Sequence, residues 1–477
     1  MGSAFQALAI PEELSRGRTV MRRYLSIGGL LSLGLIAGMT VTIADERDRE
    51  ERIPQGKSNV GAERNVAGDR TEEYYELFEV LADTVDQIER NYVEPIDRRE
   101  LMEAAIKGML SKLDAHSGYV PPEEVERFNT SVNSEFGGIG ITVTVREGQL
   151  TVVSPLVGTP AYRAGVRAGD RIVEIDGEST RGLLLNDAVK LLKGRNGTQV
   201  RLGVVHEGEV ERQEYRITRG VIQLDTVYGR RRKADDSWDF MLDEDQGIGY
   251  IQVNTFTART TDEIRTALSK LRKRDFQGLV LDLRFNPGGL LTSAIEVCDM
   301  FIEKGEAIVS TKGRNVETEV WKASGKGRFR DVPIAVLINR YSASASEIVS
   351  ACLQDHQRAV VVGERSWGKG SVQNVINLEG GNSVLMLTTA SYHRPSGKNI
   401  HRFPDAEESD EWGVQPDDDF EVKLTAEETF RLILARRGRD VVGDADDVAV
   451  GDDEFIDRQL RRAVEYLTQK IAAPDAA

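Results

Sequence analysis

Cysteine and histidine are both scarce in this chain of 477 residues, and cationic residues are outnumbered. Its two cysteines, Cys298 and Cys352, are too few for a disulfide scaffold or a cysteine-built zinc site. Both lie in apolar stretches and read as buried thiols, with a single bridge as the alternative. The five histidines contain no HxxxH pair, which argues against a histidine-held metal. Lys+Arg is 62 against Asp+Glu 78, a net charge of −16. That balance argues against nucleic acid, whose phosphates call for a basic face. Only one long uncharged apolar run occurs, so the chain is not a multi-span membrane protein. What is present is globular in composition and long enough for about three domains.

The apolar run is Tyr24 to Ala44. Arg16, Arg18, Arg22 and Arg23 precede it, and Asp45, Glu46 and Asp48 follow. About 20 apolar residues span a bilayer as a helix, and the arginines favour an inside N-terminus. Residues 1–23 are therefore expected in the cytoplasm, with 24–44 an anchor and the rest in the periplasm or cell envelope. A cleaved signal peptide is the rival reading, although the residues near Ala44 give no convincing cleavage site. A buried soluble helix is the third. Met21–Arg22–Arg23 would itself make a good start for an export segment.

Residues 45–70 are charged and lack apolar periodicity, as a linker does. Over 71–135, Tyr75, Phe78, Leu81, Val85 and Ile88, then Leu101, Ala105, Ile106 and Met109, recur at helical spacing, with Pro95 between two helices. A turn-rich passage, Leu113 to Pro121, follows. From 136 to 220 short strands alternate with turns and two short helices, a compact β-rich module. From 221 to 420 strands and helices alternate, predicting an α/β core with a largely parallel sheet. Residues 421–477 read as two helices joined by an acidic Gly-Asp stretch, packed on the core or mediating dimerisation.

In parallel sheets chemistry gathers in the loops after strand C-termini. After Leu283 comes Arg284–Phe285–Asn286–Pro287–Gly288–Gly289, whose glycines free N–H groups for an oxyanion or anion, or simply turn the chain. After Ile338 comes Ser342–Ala343–Ser344–Ala345–Ser346–Glu347. There Ser344 and Glu347 fit a helix capping box, or one of the three serines is a nucleophile. After Val362 comes Gly363 to Ser371, close to a phosphate loop. Gly370, however, occupies the hydroxyl position, and a hairpin rather than a helix follows. Lys369 in that turn is either a surface lysine or, in an apolar site, a base. None of these loops holds a histidine. A triad using His356 is not excluded by the linear sequence but would be forced, whereas a serine activated by lysine meets the same requirements.

Taken together these loops resemble the C-terminal processing peptidases, or tail-specific proteases. The matching pieces are Asp282 to Gly289, Ser342 to Ile348, Gly363–Glu364 with Gly368 to Gln373, Tyr392 to Gly397, Gly413 to Asp417 and Leu113 to Pro121. Ala115 departs from the proline common there, and Arg340–Tyr341 is unusual before the serines. The resemblance implies an exported PDZ-containing serine endopeptidase without a metal or other cofactor. In it Ser344 is the nucleophile, Lys369 the base and Gln373 a residue holding that lysine. The N–H groups of Ala345 and of Gly288 or Gly289 form the oxyanion hole. It also makes Phe136 to Ile141 the carboxylate loop of the PDZ domain, with Gly138, Ile139, Gly140 and Ile141 receiving a polypeptide C-terminus. The competing function is a catalytically inactive PDZ adaptor or chaperone; a nucleotide-binding enzyme comes third.

Overall fold

The structure, a computed structural model, describes residues 41–42, 64–133, 135–327, 329–441 and 455–473. The expected anchor and linker lie outside these residues except at two places. Val41–Thr42 forms a short strand, and the first helix starts at Arg64, inside the stretch expected as linker. Among the described residues no helix is long and apolar enough to cross a membrane.

The N-terminal helices run Arg64–Asn91 and Arg98–Leu110, with Asp97 capping the second by accepting from the Arg99 N–H at 2.7 Å. The sequence reading passed over the next helix, Pro122–Asn133, whose few apolar residues, Val125 and Phe128, nevertheless pack against Val120, Val384 and Met386. Beyond it lies the β-rich module, a sheet in the order Ile141–Arg146, Gln149–Pro155, Arg171–Ile175, Gln199–Val205, Arg212–Thr218. Glu147 and Gly148 turn the first hairpin, pairing Val145 with Leu150. Alternating residues Val143, Leu150, Val152, Ile172, Val200, Leu202 and Val204 fill its core against Ala188 and Leu192 of the helix Leu185–Leu192. Ile141–Arg146 is the edge strand of that sheet.

The core sheet has the order Val227–Tyr228, Ile248–Val253, Gly278–Asp282, Ile334–Ile338, Ala359–Gly363. Its last four strands are parallel, in the register Ile251–Leu281–Val336–Val361. Both faces are covered, which is why these strands read as unbroken apolar runs. Ile251, Val253, Leu279 and Leu281 face the helices Thr260–Arg272, Leu291–Asp299 and Ala345–Asp355. Tyr250, Val280, Ala335 and Leu337 face the C-terminal helix Arg458–Ala472 through Ala463 and Leu467. Cys298 and Cys352 are buried free thiols on two of these helices. The fold is thus the expected α/β core plus a β-rich module, with one addition. The hairpin Ser371–Leu378 and Ser383–His393 belongs to a second, antiparallel sheet with Ala307–Lys312, Glu319–Lys322 and Gly118–Val120.

The C-terminal tail packs on the core. The Arg284 guanidinium, fully buried, meets Asp282 at 2.7 Å and Asp457 at 2.8 Å, and donates to Gln459 Oε1 at 3.0 Å. Arg436, from the helix Ala426–Asp440, adds a contact to Asp282 at 2.6 Å. Burial alone would raise the Asp282 carboxyl, but Arg284 and Arg436 hold it far below the usual carboxylate range. The cluster fastens the tail to the first residue of the glycine loop. Asp457→Ala removes one partner of a buried guanidinium, and losses of this kind cost about 3 kcal/mol. A lowered thermal unfolding midpoint, partly restored by Asp457→Glu, is the expected measurement.

Candidate active site

Ser344 stands at the N-cap of the helix Ala345–Asp355, at the C-terminal end of the strand Ile334–Ile338. Its backbone is strained, with φ 56° and ψ −114°. A non-glycine residue held there costs about 1–3 kcal/mol, and such strain clusters at working sites. Ser344 and Glu347 occupy capping-box positions, but the Ser344 side chain makes no cap hydrogen bond. Glu347 accepts the Ser344 N–H at 2.7 Å, while Ser344 Oγ, buried, has no hydrogen-bond partner among the described residues. The neighbouring serines are committed to backbone carbonyls. Ser342 Oγ donates to Leu283 O at 2.9 Å and Ser346 Oγ to Asn286 O at 3.0 Å. Of the three serines, Ser344 alone keeps a hydroxyl without a hydrogen-bond partner among the described residues.

The glycine loop lies directly against Ser344. A Cβ on Gly288 would come within 2.7 Å of Ser344 Cβ and 3.0 Å of Ala345 N, so no side chain fits there. Asn286 staples the two loops: its carbonyl accepts the Ala343 N–H at 3.0 Å, and its Oδ1 accepts the Gly288 N–H at 2.8 Å. Gly288 is thus engaged, whereas the Gly289 and Ala345 N–H groups donate to nothing among the described residues.

Lys369 lies in the turn between the core strand Ala359–Gly363 and the second-sheet strand Ser371–Leu378, and Glu347 ties this turn to that of Ser344. One carboxylate oxygen, Oε2, accepts both the Ser344 N–H at 2.7 Å and the Lys369 N–H at 2.8 Å. The other, Oε1, accepts the Gly368 N–H at 2.6 Å and the Ser366 hydroxyl at 2.5 Å. Burial pushes the Glu347 carboxyl up to about 7, and these donors pull it partly back. Lys369 is 3% exposed, which excludes the surface-lysine reading. Burial pushes its ammonium down to about 8, against the opposing charges of Glu347 and Asp114. The phosphate-loop reading is excluded too, because Ser371 opens a strand.

The Ser344 and Lys369 backbone amides converge on Glu347, and Ser344 Oγ makes no hydrogen bond to Lys369 Nζ here. Gln373, 1% exposed, likewise does not bond Lys369. Its Nε2 donates to Ser371 Oγ at 2.9 Å and Thr388 Oγ1 at 3.2 Å, and its Oε1 has no partner among the described residues. His356 ends the nucleophile helix and bonds Ala307 O at 2.7 Å, so no triad uses it. Two histidines that loop inspection passed over do border the base. Burial lowers His116, with the Lys369 charge adding to the effect, and the His401 backbone packs on Gly370. His116 lies in the turn-rich passage Leu113 to Pro121, whereas His401 falls between the Tyr392 and Gly413 segments. The Tyr392 and Gly413 turns, also left without a role, hold the lysine turn: the Tyr392 N–H donates to Gly370 O at 2.7 Å and the Val414 N–H to Ser366 Oγ at 2.7 Å.

In the β-rich module, Gly138 and Gly140 flank the buried Ile139, whose carbonyl accepts the Ala161 N–H at 2.9 Å. Ile141 then opens the edge strand.

The arrangement agrees with what the sequence matches. Residues 247–419 match the model of peptidase family S41, 151–205 that of a PDZ domain, and 31–123 that of the activating protease CtpB N-terminal domain. The chain is 41% identical over 343 residues to a carboxy-terminal-processing protease of Bartonella bacilliformis, covering 71% of this chain and 75% of that one. It is 35% identical over 326 residues to carboxy-terminal processing protease CtpA of Bacillus subtilis, covering 68% and 67%. A solved photosystem II D1 C-terminal processing protease is 30% identical, with a TM-score of 0.41, over 70% of this chain and 84% of that one. With a helix-mouth serine, a glycine loop against it and a PDZ domain ahead of both, the chain belongs to the carboxy-terminal processing proteases, serine-type enzymes of peptidase family S41.

Proposed function

We propose that this protease is an exported endopeptidase that receives polypeptide C-termini in its PDZ groove and cleaves by a Ser344–Lys369 mechanism. The observation that carries the mechanism is the single Glu347 oxygen accepting both the Ser344 and the Lys369 amides, beside a buried serine hydroxyl with no other engagement. The lysine must be neutral to act, and burial lowers it toward the working range.

In the reaction, Oγ and Nζ first come into hydrogen-bond contact. Lys369 Nζ takes the hydroxyl proton as Ser344 Oγ attacks the peptide carbonyl carbon. The carbonyl oxygen becomes an oxyanion facing the N–H groups of Ala345 and Gly289, the two loop donors left unengaged. The lysine proton passes to the leaving amine, the C–N bond breaks, and an acyl-enzyme remains. Water then attacks the ester carbonyl as the lysine takes its proton, the bond to Ser344 Oγ breaks, and the lysine returns that proton to Oγ, releasing the acid product. Gln373 supports the base.

Substrate delivery rests on the edge strand Ile141–Arg146, which has a free side for an added strand. Gly138, Ile139, Gly140 and Ile141 would meet the terminal carboxylate. The apolar run 24–44 supports export, as an anchor or a cleaved signal. Release of radiolabelled fragments from a C-terminally tagged, poorly folded polypeptide tests the whole reading, with Ser344→Ala beside the wild type. Binding without turnover would favour the adaptor.

The pH dependence follows from Lys369. Below about 8 the ammonium is protonated and cannot accept a proton, so kcat/KM should fall about tenfold per unit on the acid side. It should level off above that value. Lys369→Arg, cationic at every accessible pH, should show no activity across the profile.

A further inference from the structure

A polar chain outside the reacting groups runs from the N-terminal region into the floor of the site. Asp114 belongs to the turn between the N-terminal helices and the strand Gly118–Val120. Its own turn fixes it: Oδ1 accepts the His116 N–H at 2.7 Å and the Ser117 N–H at 2.8 Å, and Oδ2 accepts the Ser117 hydroxyl at 2.8 Å. Gly118–Val120 pairs with Val384–Met386, and Ser117 Oγ accepts the Thr388 N–H at 3.1 Å, so the turn is bound to the hairpin carrying the base. Thr388 Oγ1 donates to Asp114 Oδ1 at 3.1 Å. Thr388 is also the cross-strand partner of Gln373.

The direction of this chain is forced. A carboxylate only accepts, so the single Thr388 hydroxyl proton points to Asp114. The lone pairs of Thr388 then face Gln373, and only the NH2 end of that amide can meet them. Gln373 Nε2 does so at 3.2 Å, and Oε1 is turned the other way, buried and without a partner among the described residues. A buried acceptor in that condition is unfavourable unless a donor arrives during the working cycle. The ammonium formed when Lys369 takes the serine proton is such a donor, and the Asp114 charge already reaches Lys369.

We infer that Asp114 is a positioning residue for cleavage: through Thr388 it fixes the Gln373 amide so that its carbonyl oxygen, not its NH2, is presented to Lys369. No proton passes along the chain. It sets which end of one amide meets the ammonium while the serine proton resides on Nζ. The inference rests on the Ser344–Lys369 reading and extends it to a segment 274 positions from Thr388 in sequence.

The test is steady-state cleavage by the full chain carrying Thr388→Val, Asp114→Asn, or both, with Ser344→Ala in parallel. Thr388→Val is nearly isosteric and keeps the Asp114 charge. Each single change should lower kcat about tenfold with KM unchanged, and the double variant should lose no more than the worse single one, since both break one chain. In Asp114→Asn the acid limb of the kcat/KM profile should also move to lower pH, because a charge that favours protonated Lys369 is gone. Losses that multiply to about 100-fold in the double variant would overturn the inference. So would unchanged kcat in the single variants, or an unmoved acid limb at reduced amplitude, the signature of a smaller folded fraction. Cleavage by Ser344→Ala would instead refute the serine mechanism itself.

Discussion

Ser344→Ala should leave the fold intact and lower kcat/KM at least about 10⁴-fold, the loss typical of removing a covalent nucleophile. The structure sharpens this expectation by comparison within one loop. Ser342 and Ser346 also lie at the helix mouth and are also buried, but their hydroxyls bond Leu283 O and Asn286 O. Ser346→Ala should therefore lower stability by about 1 kcal/mol, the value of one internal hydrogen bond, and Ser342→Ala, whose hydroxyl also accepts the Asn339 N–H at 2.9 Å, by about twice that, both with far smaller effects on turnover. Ser344→Ala removes a hydroxyl that makes no bond, so its folded state should unfold at the wild-type temperature or slightly above. Burst kinetics with an ester substrate, read beside thermal unfolding, separates the two patterns. A Ser344→Ala enzyme with substantial activity would move the nucleophile elsewhere.

Glu347→Ala should have the second largest effect. This carboxylate accepts from both the Ser344 turn and the Lys369 turn. Its removal strands the Ser344, Gly368 and Lys369 N–H groups in a buried space, at about 1–3 kcal/mol for each left unpaired. It also releases the constraint that keeps Ser344 and Lys369 in register. Misplacement of reacting groups by about 1 Å costs on the order of 100-fold, so kcat/KM should fall by about 10²–10³. Glu347→Gln keeps the size but turns one accepting oxygen into a donor, and should fall between. A pH consequence follows. Burial raises the Glu347 carboxyl to about 7, so on acidification it gains a proton after Lys369, which titrates at about 8, has gained its own. The acid limb should steepen below pH about 7 in the wild type and stay at unit slope in Glu347→Gln. Wild-type kcat/KM in Glu347→Ala would show that the shared carboxylate is dispensable.

Local rules carried a long way in this chain. Runs such as Leu279–Val280–Leu281 and Ala335–Val336–Leu337 are apolar without alternation because both faces of a parallel sheet are covered, and that pattern is visible in one dimension. The loops after those strands, and with them Ser344, Lys369 and Gln373, could be located because chemistry gathers at strand C-termini and because their residues match a known family. The tail was legible as helices but not as a partner of Arg284, since nothing near Asp457 in sequence marks it.

By itself, then, the sequence determined the alternation of strands and helices in the core, the loops that hold Ser344 and Lys369, and the family, though not the helix Pro122–Asn133. These depend on residue spacing and on short motifs, which act over a few positions. Tertiary structure alone decided which serine hydroxyl stays uncommitted, that the Ser344 and Lys369 turns are joined by one carboxylate, and that Asp114 and Asp457 stand behind the site. Those outcomes turn on hydrogen-bond partners and on desolvation, and a side chain acquires both only when segments far apart in the chain are packed against it.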